Sequence, residues 1–131
     1  MPLLDWINKY SIGVEEIDLQ HKELFKIFNR LYDTLSSQHS TIDVYYTLDL
    51  LMDYADFHFK AEQQYMESVG YKDIDNHIAE HVYFTNEVLR LIRDRKKSNA
   101  DLTPETVIFL YRWLLCHVTE EDRKITARTN K

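Results

Sequence analysis

The chain is poor in the residues that make turns, cross-links and membrane spans. Two Gly and two Pro in 131 residues are too little turn chemistry for an all-β sandwich or barrel, where every short strand needs a reversal. A single cysteine, Cys116, makes no internal disulfide, and the opening Met-Pro-Leu-Leu-Asp-Trp lacks the basic and long apolar segments of a signal peptide. A reducing, cytoplasmic setting is therefore expected. No apolar run approaches the roughly 18 residues of a transmembrane helix, since even the stretch near the C-terminus is broken by Arg112. Membrane insertion is not expected. Basic residues are in deficit, 16 Lys and Arg against 22 Asp and Glu for a net charge of −6, which argues against a nucleic-acid partner or an anionic membrane surface. What is plentiful is apolar and charged sequence, 44% and 29%. That excludes disorder and fits one domain, residues 1–131, built from a few long helices. Six histidines complete the inventory.

Periodicity locates the helices. Ile17, His21, Leu24, Phe28, Leu31 and Leu35 recur every three or four residues, one stripe of an amphipathic helix over about 16–37. A polar break containing His39 follows, with Ser40 or Thr41 as an N-cap. Val44, Leu48, Leu51, Ala55, His58, Glu62, Tyr65 and Val69 carry the next stripe, over about 41–69, which stops at Gly70 in the position of a C-terminal cap. Ile74, His77, His81, Phe84, Val88 and Leu91 mark a third helix over about 72–97. Its end carries the basic run Arg93, Arg95, Lys96 and Lys97, suited to a helix C-terminus and best read as solvated. After the Ser98 to Leu102 linker, Thr103-Pro104-Glu105 is a helix start, and Val107, Leu110, Leu114, His117 and Glu121 place a fourth helix over about 104–124. Four such helices with short connections predict an all-α, up-down-up-down antiparallel four-helix bundle. Residues 1–15 show no stripe and are expected to form an N-terminal arm packed over it.

Five histidines, His21, His58, His77, His81 and His117, occupy stripe positions together with Glu62. Chance placement has odds on the order of one in several hundred if inward positions are two in seven. Height along the bundle is decisive. The start of the first helix, the end of the second, the start of the third and the end of the fourth meet at one end of an alternating bundle. At 1.5 Å per residue the six side chains fall within a layer roughly 10 Å thick. His58 and Glu62, like His77 and His81, are i and i+4 and project from one face. Asp122 follows His117 by five residues, about 140° round an α-helix, so spacing alone ranks it level with Glu121. Five imidazoles and one or two carboxylates exceed the needs of a four-coordinate zinc, implying two metal ions. All-N/O ligation suits iron and leaves manganese and zinc open.

The segments Trp6 with Ile12-Gly13-Val14, Ile17-Asp18-Leu19-Gln20-His21-Lys22, His58-Phe59-Lys60-Ala61-Glu62, His77-x3-His81 and Trp113-Leu114-x2-His117-x4-Asp122 resemble the hemerythrin family, specifically its stand-alone bacterial members, over essentially the whole chain. The resemblance implies a di-iron centre with an oxo or hydroxo bridge that binds O2 reversibly. It implies His77, His81 and His117 on one iron, His21 and His58 on the other, and Glu62 and Asp122 across both, which selects Asp122 over Glu121. Such a set leaves one coordination place open, on the two-histidine iron, for O2. The resemblance also implies an apolar O2 pocket of Leu24, Phe59, Trp113 and Leu114. Gln63 and Lys72 depart from common family residues without touching a proposed ligand.

Other residues read more plainly: His39 as an exposed linker residue, Cys116 as a small buried one, Tyr65 as packing. Oxygen storage or delivery is the leading function, with an O2-consuming enzyme as the recipient in the delivery case. Oxygen or redox sensing, or iron handling, at the same site is the alternative, and a sensor of this length would signal through a partner. A ferritin-like oxidase needs Glu-x2-His motifs; the positions three before the stripe histidines are Asp18, Ala55, Ile74, Ile78 and Leu114, so an enzyme is not expected.

Overall fold

A computed structural model describes residues 4–36, 41–98, 104–122 and 124–125. The linker histidine His39, the caps expected at Ser40 and Thr103, and the side chains of Leu35 and Glu121 lie outside the described residues. Four helices follow in order: α1 (Glu15–Ser36), α2 (Thr41–Val69), α3 (Ile74–Ser98) and α4 (Pro104–Cys116). They pack as an antiparallel four-helix bundle in which α2 lies against α1 and α3, and α1 also meets α4. Among the described residues there is no strand, and no helix is long and apolar enough to cross a membrane.

The stripes bury as their period demands. Leu24, Phe28 and Leu31 of α1, Leu48, Leu51 and Ala55 of α2, Phe84 and Val88 of α3, and Leu110 and Leu114 of α4 interlock in the main core. A smaller apolar cluster of Met66, Tyr71 and Ile125, flanked by Tyr65, Val69 and Ile74, closes the opposite side of the histidine layer. The α2–α3 corner turns on Gly70, whose φ of +66° only glycine adopts cheaply. There the Tyr71 N–H donates to the Met66 carbonyl at 3.0 Å, capping the helix end. Helix α3 starts at Ile74, two residues later than the sequence suggests. Lys72 and Asp73 belong to the turn, where Asp73 accepts from the Asn76 amide at 2.7 Å and its carbonyl takes the His77 N–H at 3.2 Å.

The N-terminal arm packs on α1. The Asn29 side-chain amide pairs with the Leu4 backbone in both directions, at 2.8 and 2.7 Å, and Trp6 and Tyr10 lie on Phe25. The Asp18 carboxylate accepts from the Ile12 N–H at 2.9 Å and from the Ser11 hydroxyl, tying the arm to the first turn of α1.

Two further features differ from the sequence reading. The fourth helix is not continuous: a π turn, His117–Glu121, follows α4, and the Asp122 N–H reaches the His117 carbonyl five residues back. Cys116 is exposed rather than buried. With Leu110, Leu114 and Val118 inward, position 116 falls on the outer face of the helix.

Candidate metal centre

All four helices contribute to one buried cluster near the end of the bundle where α2 hands over to α3. His21 comes from α1, His58 and Glu62 from α2, His77 and His81 from α3, and His117 and Asp122 from the π turn that continues α4 and the residue just after it. None is more than 4% exposed. The π turn is what admits Asp122. Widening one turn by a residue brings the i+5 side chain back onto the face of His117, and the Asp122 Oδ2 stands 3.0 Å from the His117 Nε2.

Each of these five histidines turns its Nε2 inward. Asp122 spans the cluster, with Oδ2 2.5 Å from His21 and Oδ1 2.8 Å from His77. Glu62 does the same: Oε1 lies 2.7 Å from His58, 2.9 Å from His117 and 3.4 Å from His81, and Oε2 3.7 Å from His77. The ligand atoms fall into two overlapping groups. One is His21, His58, Glu62, His117 and Asp122, the other Glu62, His77, His81, His117 and Asp122. Both carboxylates belong to each. His117 does too, but its ring lies 5.0 and 5.3 Å from those of His81 and His77, against 6.2 and 6.0 Å from His21 and His58. It therefore sides with the α3 pair.

Buried polar atoms normally find hydrogen-bond partners. Here, among the described residues, the Nε2 atoms of His21, His58, His77 and His81, both Asp122 oxygens and Glu62 Oε2 make no hydrogen bond, close as they lie to one another. These atoms converge on one small space, and seven N/O atoms that share it fit divalent or trivalent cations.

Charge follows the same logic. Burial disfavours the ionised form of Glu62 and Asp122, yet the surrounding imidazoles outweigh it: Glu62 is held well below the usual carboxylate range and Asp122 at about 2. Burial opposes a charge on His77 and His117 as well. The two carboxylates overcome it, raising these pKa values to about 9 and about 10. For His81 and His58 burial wins; His81 falls to about 4 and His58 is lowered. At neutral pH the metal-free cluster thus sets the carboxylates of Glu62 and Asp122 against the imidazolium ions of His77 and His117.

The four residues expected to wall a pocket divide in two. Phe59 lies flat on the His81 ring at 3.9 Å, and Trp113 stacks on His117 at 4.6 Å and on Phe84 at 4.3 Å. Leu24 and Leu114 are fully buried in the main core. Tyr65 is half-buried in the small cluster. Sequence reasoning gave Gln20 no role, yet it is buried and its Oε1 lies 2.7 Å from the His58 Nδ1. Its adjacency to His21 was the only available signal.

An antiparallel four-helix bundle with a histidine and carboxylate cluster sealed in its interior defines a helical cation-binding protein. The family model for the hemerythrin HHE cation-binding domain matches residues 12–128, and the chain belongs to the hemerythrin family. It is 31% identical over 124 residues to a bacteriohemerythrin of Methylococcus capsulatus, covering 94% of each chain. To a bacteriohemerythrin of Clostridium acetobutylicum it is 29% identical over 123 residues, covering 91% of this chain and 95% of that one. A crystal structure of wild-type hemerythrin superposes with a TM-score of 0.88 at 28% identity, covering 98% of this chain and 99% of the other.

Proposed function

We propose that this protein binds dioxygen reversibly at a centre of two iron ions, for storage or for delivery to an O2-consuming enzyme. His77, His81 and His117 hold one ion and His21 and His58 the other. Glu62 and Asp122 would reach both. The observation that carries this reading is that each carboxylate lies within reach of histidines from both halves of the cluster, as bridging ligands must. Bound iron supplies the electrons that dioxygen takes up and returns. The chain's own residues make that exchange reversible. Aromatic stacking holds the His81 and His117 rings in place, and buried Leu24, Phe59 and Leu114, with half-buried Trp113, keep water and acidic proton donors away from the site. A reducing cytoplasm suits the exposed thiol of Cys116. Sensing would use the same binding step and differ only in what reads it.

The test is anaerobic loading with Fe(II), followed by metal analysis and visible spectroscopy. Two irons per chain are expected, with charge-transfer bands that develop in air and disappear under vacuum. One zinc per chain, or oxidation that does not reverse, overturns the reading.

A further inference from the structure

We infer that Gln20 is a positioning residue that fixes the proton of His58 on Nδ1 and so presents a bare Nε2 to the metal of the His21–His58 half. The inference rests on the two-metal reading above. Gln20 is buried on α1, one residue before His21. Its side-chain oxygen lies 2.7 Å from the His58 Nδ1, across the α1–α2 interface. Amide oxygen and nitrogen are interchangeable in shape, so something must decide which one faces the histidine. Glu16, one turn earlier on α1, does so: its Oε1 lies 3.4 Å from the Gln20 Nε2. An ionised carboxylate only accepts, so the amide nitrogen faces Glu16 and the oxygen faces His58. An acceptor there requires the imidazole to donate from Nδ1, so Nε2, on the inward side of the ring 2.7 Å from Glu62, is the nitrogen left to a metal ion. Orientation of a ligand histidine through its second nitrogen is a general means of raising metal affinity.

The support is unevenly distributed, which gives the inference its specificity. Among the described residues, the Nδ1 atoms of His21 and His117 are buried without a hydrogen-bond partner. Within the His21–His58 half, the ring of His58 alone is held from behind, so weakening that hold should affect one metal and spare the other.

The experiment is anaerobic titration with Co(II) of the intact chain, its Gln20→Met variant, which keeps length but removes the acceptor, and its Gln20→Glu variant, which restores one. Ligand-field absorption counts the sites and chelator competition measures affinity. The wild-type chain should take up two ions. In Gln20→Met one of the two should bind about 10- to 100-fold more weakly with an altered ligand-field band, while the other keeps its wild-type affinity. Gln20→Glu should bind both at least as tightly as wild type. If wild type takes up fewer than two ions, the two-metal reading falls. If wild type takes up two and Gln20→Met matches it at both, or if Gln20→Glu loses affinity as Gln20→Met does, the positioning role falls. Should Gln20→Met fail to fold by circular dichroism, the Gln20→Glu comparison decides alone.

Discussion

His77 and His117 carry protons at neutral pH only because Glu62 and Asp122 face them, and metal ions compete for the same nitrogens. Metal uptake at pH 7 should therefore release a proton from each. The release should shrink as pH passes through about 9 and about 10, the values at which these imidazoles lose their protons unaided. Metal addition in weak buffer with a pH indicator measures it. The sign for stability agrees. Both folded pKa values lie above the ordinary 6.5, so what these charges contribute to the metal-free fold is complete below that value and lost as pH rises through 9 to 10. Asp122 acts oppositely, contributing above its ordinary 3.8 and losing that contribution toward pH 2. Because Asp122 reaches both halves, Asp122→Ala should leave less than one ion per chain by metal analysis, a larger loss than His81→Ala causes. The stripe histidines were legible because each buried ligand recurs with the helical period of its own helix. Gln20 was not, because it stands one position off the α1 stripe and its partner belongs to another helix.

At the scale of elements, the π turn solves a spacing problem. On an α-helix the five-residue step from His117 to Asp122 puts the carboxylate about 140° away from the imidazole, and no sequence period announces the widened turn that corrects it. The resemblance to known relatives selected Asp122; spacing could not. Removing Glu120, which is exposed, should let the turn close into an ordinary α turn with the aspartate now four residues from His117 and still on its face. That deletion should retain metal stoichiometry where Asp122→Ala loses it, as metal analysis of the two proteins will show. Helix ends were legible where special chemistry marked them. Gly70 stops α2 because its positive φ suits glycine, and a Cβ there meets nothing within 4 Å. Gly70→Ala should therefore cost the backbone term alone, about 1 kcal/mol, read as a lowered Tm with metal binding intact. The start of α3 was displaced because Asp73 caps from a turn that periodicity does not see.

For the whole molecule, the bundle itself was legible from four stripes and scarce turn residues, since apolar periodicity reports directly on burial. The outward turn of Cys116 was missed because neighbouring buried ligands suggested an interior that the helix, by rotating, does not share. Leu48 is fully buried in the main core, ten residues before His58 and so about 15 Å from it along α2. Leu48→Ala should cost about 2–5 kcal/mol in chemical denaturation while leaving metal stoichiometry unchanged. Among the described residues, the histidine layer lies between unequal neighbours, a large interlocked core on one side and the few side chains around Met66, Tyr71 and Ile125 on the other. Without metal, the small side holds itself closed with little apolar contact of its own. Amide hydrogens from Met66 to Ile74 should then exchange by local opening of that end, while those around Leu48 and Leu51 await global unfolding. Loading the site should slow the first set far more than the second, as bound ions would then latch one end of the bundle.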